Sequence, residues 1–223
     1  MSSNHKLTHS YSAMKMYENC PLRYKMQRVD KVVKDVGGTA MVWGQDVHEA
    51  LENNLRDGVP LTERYKSFQP LANAVVAGIP EGAELKVEQE LTLNEQLTPT
   101  GWWDADAWLR SKLDVLVLHG DMALDLDWKT GKRRPDFFQL ELFALQTFIA
   151  YPQINTVNSM FVWTQTGDTD SEVYSRVNLP ALTDTLLSKV RRIEKSMETD
   201  TWPAKPSGLC NWCPAKTMCD FAQ

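Results

Sequence analysis

The run KLDVLVLHGDMALDLDWK at 112–129 sets Asp114, Asp125, Asp127 and Lys129 into an otherwise apolar stretch. A two-residue Gly120-Asp121 loop pairs His119 with Met122, and that register sets Asp114 opposite Asp127. Leu113, Val115, Val117, Leu124, Leu126 and Trp128 then share one face, while Lys112, Asp114, Asp125, Asp127 and Lys129 share the other. A slip of one residue would mix the two sets, so the pattern itself supports the pairing. Carboxylates that close repel unless a cation lies between them, and hard divalent ions favour oxygen ligands. The competing reading is a wet strand face laced with ion pairs, where the same residue types are common. Asp125 lies nearer the turn and reads as solvated or as standing behind the ligands.

A second set of reactive residues is the cysteines. Cys20 stands near the start, and Cys210, Cys213 and Cys219 form C-x2-C-x5-C near the end. A reducing compartment disfavours disulfides, so the spacing points first to a metal site. Joining Cys20 to Cys210 closes a loop of about 190 residues and would tie opposite ends together. Zinc and an iron-sulfur cluster both accept four thiolates, and spacing alone does not separate them.

The elements that must position these groups follow from periodicity and turn residues. A helix from Tyr11 to about Arg28 is opened by Ser10 or Ser12 and kinked or restarted by Pro21. After a loop through Gly37 and Gly38, Thr39 caps a helix to about Leu55 carrying Val42, Trp43, Val47, Ala50 and Leu51 on one side. A weaker helix spans roughly Thr62 to Val76. Strands follow at 84–93, 112–119 and 122–129, then a helix from about Pro135 to Tyr151. Two strands near 156–165 and 171–177 and a helix from Leu179 to about Met197 complete the body. The cysteine-rich end predicts irregular turns and a short helix.

No stretch approaches the roughly 18 apolar residues of a membrane span, and MSSNHKLTHSYS lacks the apolar core of a signal peptide, which predicts a cytoplasmic protein. The net charge of -5 does not exclude a nucleic-acid partner, because local charge governs that contact. Basic residues cluster at Lys15, Arg23, Lys25, Arg28, Lys31 and Lys34, at Lys129, Lys132, Arg133 and Arg134, and at Lys189, Arg191, Arg192 and Lys195. Solvated helix faces would look the same. Trp43, Trp102, Trp103, Trp108 and Trp128 supply aromatic surface for a core or for stacking on bases, with the core favoured and Trp128 assigned to it.

Asp114, followed thirteen residues on by Asp127-Trp128-Lys129, resembles the signature of PD-(D/E)XK nucleases, and LDLDWKTGK resembles their RecB-like branch. Gly44-x3-His48 with Glu49-Ala50-Leu51-Glu52 is similar to that branch's helical motif, and Gln139 to its glutamine. Phe143 stands where relatives usually have a tyrosine, and Ser111 where they often have a glycine. The resemblance implies a restriction-endonuclease-like α/β core, a mixed sheet flanked by helices. It implies a Mg2+- or Mn2+-dependent deoxyribonuclease with His48, Asp114, Asp127, the Trp128 carbonyl and Glu88 or its rival Glu90 around the metal. Lys129 and Gln139 would act beside them, and Arg23, Lys132, Arg133 and Phe143 are candidate DNA contacts.

The cysteine arrangement is similar to that of the iron-sulfur nucleases, including the AddB subunit and CRISPR-associated RecB-like exonucleases. That likeness implies a 4Fe-4S cluster on Cys20, Cys210, Cys213 and Cys219 in preference to zinc. The expected whole is one nuclease domain over 1–223, with a core at about 39–198 and a cluster region joining 11–28 to 202–223. Its expected activity is exonucleolytic, on DNA ends or single strands. A weakly active DNA-end-binding or protein-docking subunit in recombination, repair or CRISPR adaptation is the alternative. Stand-alone nucleases of this size occur in CRISPR loci and phage genomes.

Overall fold

A computed structural model describes residues 7–34 and 37–222; Met1–Lys6 of the amino-terminal stretch, Asp35, Val36 and Gln223 lie outside them. The chain divides into two compact units, one of Gly37–Leu182 and one made from both ends, Met1–Val36 with Thr183–Gln223.

The larger unit is built on a five-stranded sheet in sequence order, comprising β1 (Glu84–Leu93), β2 (Leu109–His119), β3 (Met122–Lys129), β4 (Thr156–Trp163) and β5 (Thr169–Ser175). Only the β3/β4 pair is parallel. A parallel pair needs a crossover, here supplied by a helix over Phe137–Ala150. Asp136 opens that helix by accepting the Phe138 N–H.

The β2/β3 hairpin has the expected register, from His119 with Met122 to Val115 with Leu126. Gly120 takes φ 59°, as the first position of a type II′ turn requires. On one sheet face Val115, Val117, Leu126, Trp128 and Val162 pack with Val47, Leu51 and Leu55 of the helix Thr39–Asp57, and with Phe68 and Ala72 at the helix Gln69–Gly78. This is the apolar face read from the hairpin. Fully burying each such side chain contributes about 1.5–3 kcal/mol. On the other face Leu140 of the crossover helix packs with Phe161 and Trp163.

Boundaries differ from expectation in a few places. Thr39 is the first residue of its helix and not the cap, because Gly38 occupies that position without a side-chain bond. Val42 is half exposed, off the buried stripe of Val47, Leu51 and Leu55. In the smaller unit the first helix stops at Asn19, restarts at Pro21 and ends in a π turn over Lys25–Val29. Its cap is Ser10, whose hydroxyl accepts from the Ala13 N–H.

The two ends of the chain are also joined there by packing. Tyr17 Oη donates to the Arg192 carbonyl at 2.8 Å and lies 2.7 Å from Ser196 Oγ, and Tyr17, Tyr24 and Trp202 make mutual aromatic contacts. No helix among the described residues is long and apolar enough to cross a membrane.

Candidate active site

The sheet loosens around Asp114. Between β1 and β2 the pairing passes from Val87 with Val115 to Gln89 with Leu113, omitting Glu88 and Asp114. Glu88 has φ 54°, a left-handed conformation that costs a non-glycine residue about 1–2 kcal/mol. On the other side the β2/β3 ladder ends one step before Asp114 meets Asp127. The Trp128 N–H, which a continued ladder would give to the β2 backbone, instead donates to Asp114 Oδ2 at 2.7 Å. Asp114 therefore sits in a gap opened in the sheet.

Into that gap the helix Thr39–Asp57 brings His48, whose Nδ1 is 3.1 Å from Asp114 Oδ1. Gly44, one turn earlier, permits the approach: a Cβ there would lie 3.1 Å from Thr130 Oγ1. His48, Glu88 and Asp114 each offer a ligand atom, all within 4.8 Å of one another. Of the two acids left open, Glu88 is the one brought to this group, while Glu90 stays exposed and outside it. Glu88 also forms an ion pair with Lys112.

Asp127 is held by a separate network. Its Oδ1 accepts from Gln139 Nε2 at 2.7 Å, its Oδ2 lies 2.6 Å from Lys129 Nζ, and Lys129 in turn donates to Gln139 Oε1 at 2.8 Å. Gln139 thus clamps the acid and the lysine together from the crossover helix.

Electrostatics reflect the crowding. Burial, with the nearby charge of Asp127, pushes the Asp114 carboxyl up to about 6, against the lowering effect of its bonds with His48 and Trp128. Burial works to lower His48, but its bond to Asp114, the charges of Asp114 and Asp127 and a backbone bond to Trp128 outweigh it and raise the imidazole. A site that ionises Asp114 only at a cost suits a cation, and one imidazole with carboxylate oxygens is a donor set that a hard divalent ion accepts.

Of the two readings left open for Asp125, the solvated one is excluded: it is 0% exposed, takes a 2.7 Å bond from Ser159 Oγ, and burial pushes its carboxyl well above the usual range. The crossover helix covers this face, so an acid there is shut from water. Phe143 is 2% exposed within that same helix and is not presented to a ligand, which removes it as a DNA contact. Lys132 is exposed. Arg133 reaches Asp170 and Asp168, and Arg23 Nε donates to Gln27. Trp108 is buried, Trp43 packs with Tyr65 and Phe68, and Trp103 is 85% exposed, against the expectation that it is core.

In the smaller unit Cys20, Cys210, Cys213 and Cys219 line one cavity with apolar neighbours such as Leu22, Met26 and Phe221. The Ser207 N–H points at Cys210 Sγ at 3.3 Å. Among the described residues no three of the sulfurs lie as close together as the His48 group does.

Comparison with known proteins gives the family and the fold. The family model of the PD-(D/E)XK nuclease superfamily matches residues 8–220, and the chain belongs to that superfamily. Among solved structures, one described as a candidate exonuclease from Eubacterium rectale is similar with a TM-score of 0.54 at 16% identity, covering 96% of this chain and 91% of that one. The crystal structure of SSO0001 is similar with a TM-score of 0.52 at 10% identity, covering 100% of this chain and 90% of that one. Likeness at these identities speaks for the fold. None of the curated proteins matches the chain by sequence.

Proposed function

We propose that this nuclease is a DNA exonuclease of the RecB-like iron-sulfur branch, cytoplasmic, acting at DNA ends or on single strands. The observation that carries the reading is the convergence of His48, Glu88 and Asp114 within 4.8 Å, beside the Asp127, Lys129 and Gln139 network. His48, Asp114 and Glu88, with Asp127 and the Trp128 carbonyl, would hold Mg2+ or Mn2+. When bound, such an ion lowers the pKa of its water and offsets charge at phosphorus. Lys129 presents an ammonium fixed from two sides, suited to orienting the attacking water or to stabilising the charge that builds on the phosphate oxygens. Gln139 keeps Lys129 and Asp127 in place.

The four cysteines would hold a structural 4Fe-4S cluster. Four sulfur donors around one largely apolar cavity fit it. The preference for iron over zinc rests on the sequence resemblance.

The test is release of labelled nucleotides from linear single- and double-stranded DNA with Mg2+, Mn2+ or EDTA. Release should require metal and should vanish in Asp127→Ala and Lys129→Ala. Cleavage in EDTA, or unchanged rates in both variants, would sink the assignment. Anaerobically purified protein should be brown and hold iron; a colourless protein with stoichiometric zinc would refute the cluster.

A further inference from the structure

The loop between β1 and β2, 94–108, takes no part in the acid cluster, yet it is firmly built. Leu93 bridges Pro99, and the Thr100 N–H returns to the Thr92 carbonyl at 3.0 Å. The Gly101 N–H donates to Asp104 at 2.7 Å, and the Thr100 hydroxyl lies 2.9 and 2.8 Å from the carboxylates of Asp104 and Asp106. Both acids are thereby drawn into the loop's own bonds. A Cβ at Gly101 would sit 2.7 Å from the Asp104 carboxylate, so the turn closes tightly. This rigid frame exposes 85% of Trp103, the most exposed of the large apolar side chains described.

Trp103 is backed by a cation. The Arg110 guanidinium carbon lies over Trp102 at 5.4 Å and over Trp103 at 5.5 Å, and its buried Nε has no hydrogen-bond partner. Arg110 and Lys112 alternate along the regularly paired part of β2 and so face the same side, and Lys112 pairs with Glu88 of the acid cluster. Four residues at about 3.3 Å each put Arg110 about 13 Å from Asp114 along the strand. The β2/β3 ladder has already ended at Val115, so Arg110 pairs on one side only, with Thr92 of β1.

We propose that Trp103, supported by Trp102 and Arg110, is a stacking platform for an unpaired base of the DNA strand a few nucleotides from the scissile bond. This rests on the nuclease reading and names its substrate as a strand with free base faces. Indole stacking accepts any base, the guanidinium strengthens the aromatic contact and can meet a phosphate, and a closed duplex hides the faces the platform needs.

The experiment measures binding by the full chain in EDTA, where cleavage is suppressed. Fluorescence anisotropy compares a labelled single strand, the same strand with an abasic residue moved stepwise from its end, and a blunt duplex. Trp103→Ala should weaken single-strand binding about tenfold, with Trp103→Phe recovering most of it. One abasic position should cost the unaltered chain a similar factor and cost Trp103→Ala nothing. Trp212→Ala, removing another indole that is 80% exposed, should bind like the unaltered chain. Unchanged single-strand binding in Trp103→Ala, or an equal loss on single strand and duplex, overturns the platform. A chain that digests DNA with metal but shows no abasic penalty overturns the platform and leaves the nuclease standing. One that neither binds nor digests DNA overturns both.

Discussion

Asp114→Asn should make the metal-free protein more stable while removing its function. The Asp114 carboxyl rises from 3.8 to about 6 because burial and the charge of Asp127 oppose its ionisation. A raised folded pKa means the folded state holds the proton more tightly than the unfolded state. The resulting penalty is absent below about pH 4, grows toward pH 6 and is complete above it, where it reaches about 3 kcal/mol. Asparagine is neutral throughout, can still accept the Trp128 N–H and can offer its NH2 to His48 Nδ1.

At pH 8 in EDTA the variant should therefore melt up to about 6–12 °C higher, at about 2–4 °C per kcal/mol for a chain of this size. On the acid side the balance turns. His48 is raised, so its protonated form stabilises the fold at low pH and loses that effect as pH rises through its folded pKa. The variant lacks the carboxylate partner and forgoes this contribution. Melting curves by circular dichroism at pH 4.5 and pH 8 with EDTA test the difference, followed by titration with Mn2+, which should raise the melting temperature of the unaltered chain and not that of the variant. A variant melting no higher at pH 8 would refute the argument that the buried Asp114 carboxylate preforms the cation site.

Gln139→Ala should lower kcat about 10–100-fold with little change in KM, because it frees Lys129 and Asp127 without touching substrate. Gly44→Ala should push its helix from Thr130 by a few tenths of an ångström and slow cleavage through His48, and adding Thr130→Ala should restore the rate; failure of that rescue would refute the close-approach explanation. Tyr17→Phe should cost about 1–3 kcal/mol in urea unfolding of the metal-free chain, since the Arg192 carbonyl and Ser196 hydroxyl lose their shared partner. A loss within error would show that packing of Tyr17, Tyr24 and Trp202 alone joins the two ends.

What the sequence determined is local in origin. Alternation along 112–119 and 122–129, with a two-residue turn between, specifies the hairpin register, because a shift of one would expose its apolar set. The order of helices and strands follows from periodicity, and the residue types Asp114, Asp127, Lys129, His48 and Gln139 are recognisable at their spacing.

Tertiary structure decided the rest. Which face of a strand is dry depends on the helix laid across it, so Asp125 on β3 is buried, and Phe143 is buried on the helix that covers that face. Trp103 goes the other way because a network of loop carboxylates holds its tip outward. The carboxylates of the expected acid pair do not simply face each other across a ladder. Strained Glu88 and the Trp128 N–H open the sheet on both sides of Asp114, and no periodicity in β1 or β3 encodes that: on the β3 side a buried carboxylate takes the backbone donor that the ladder would have used, and on the β1 side one residue leaves the extended conformation.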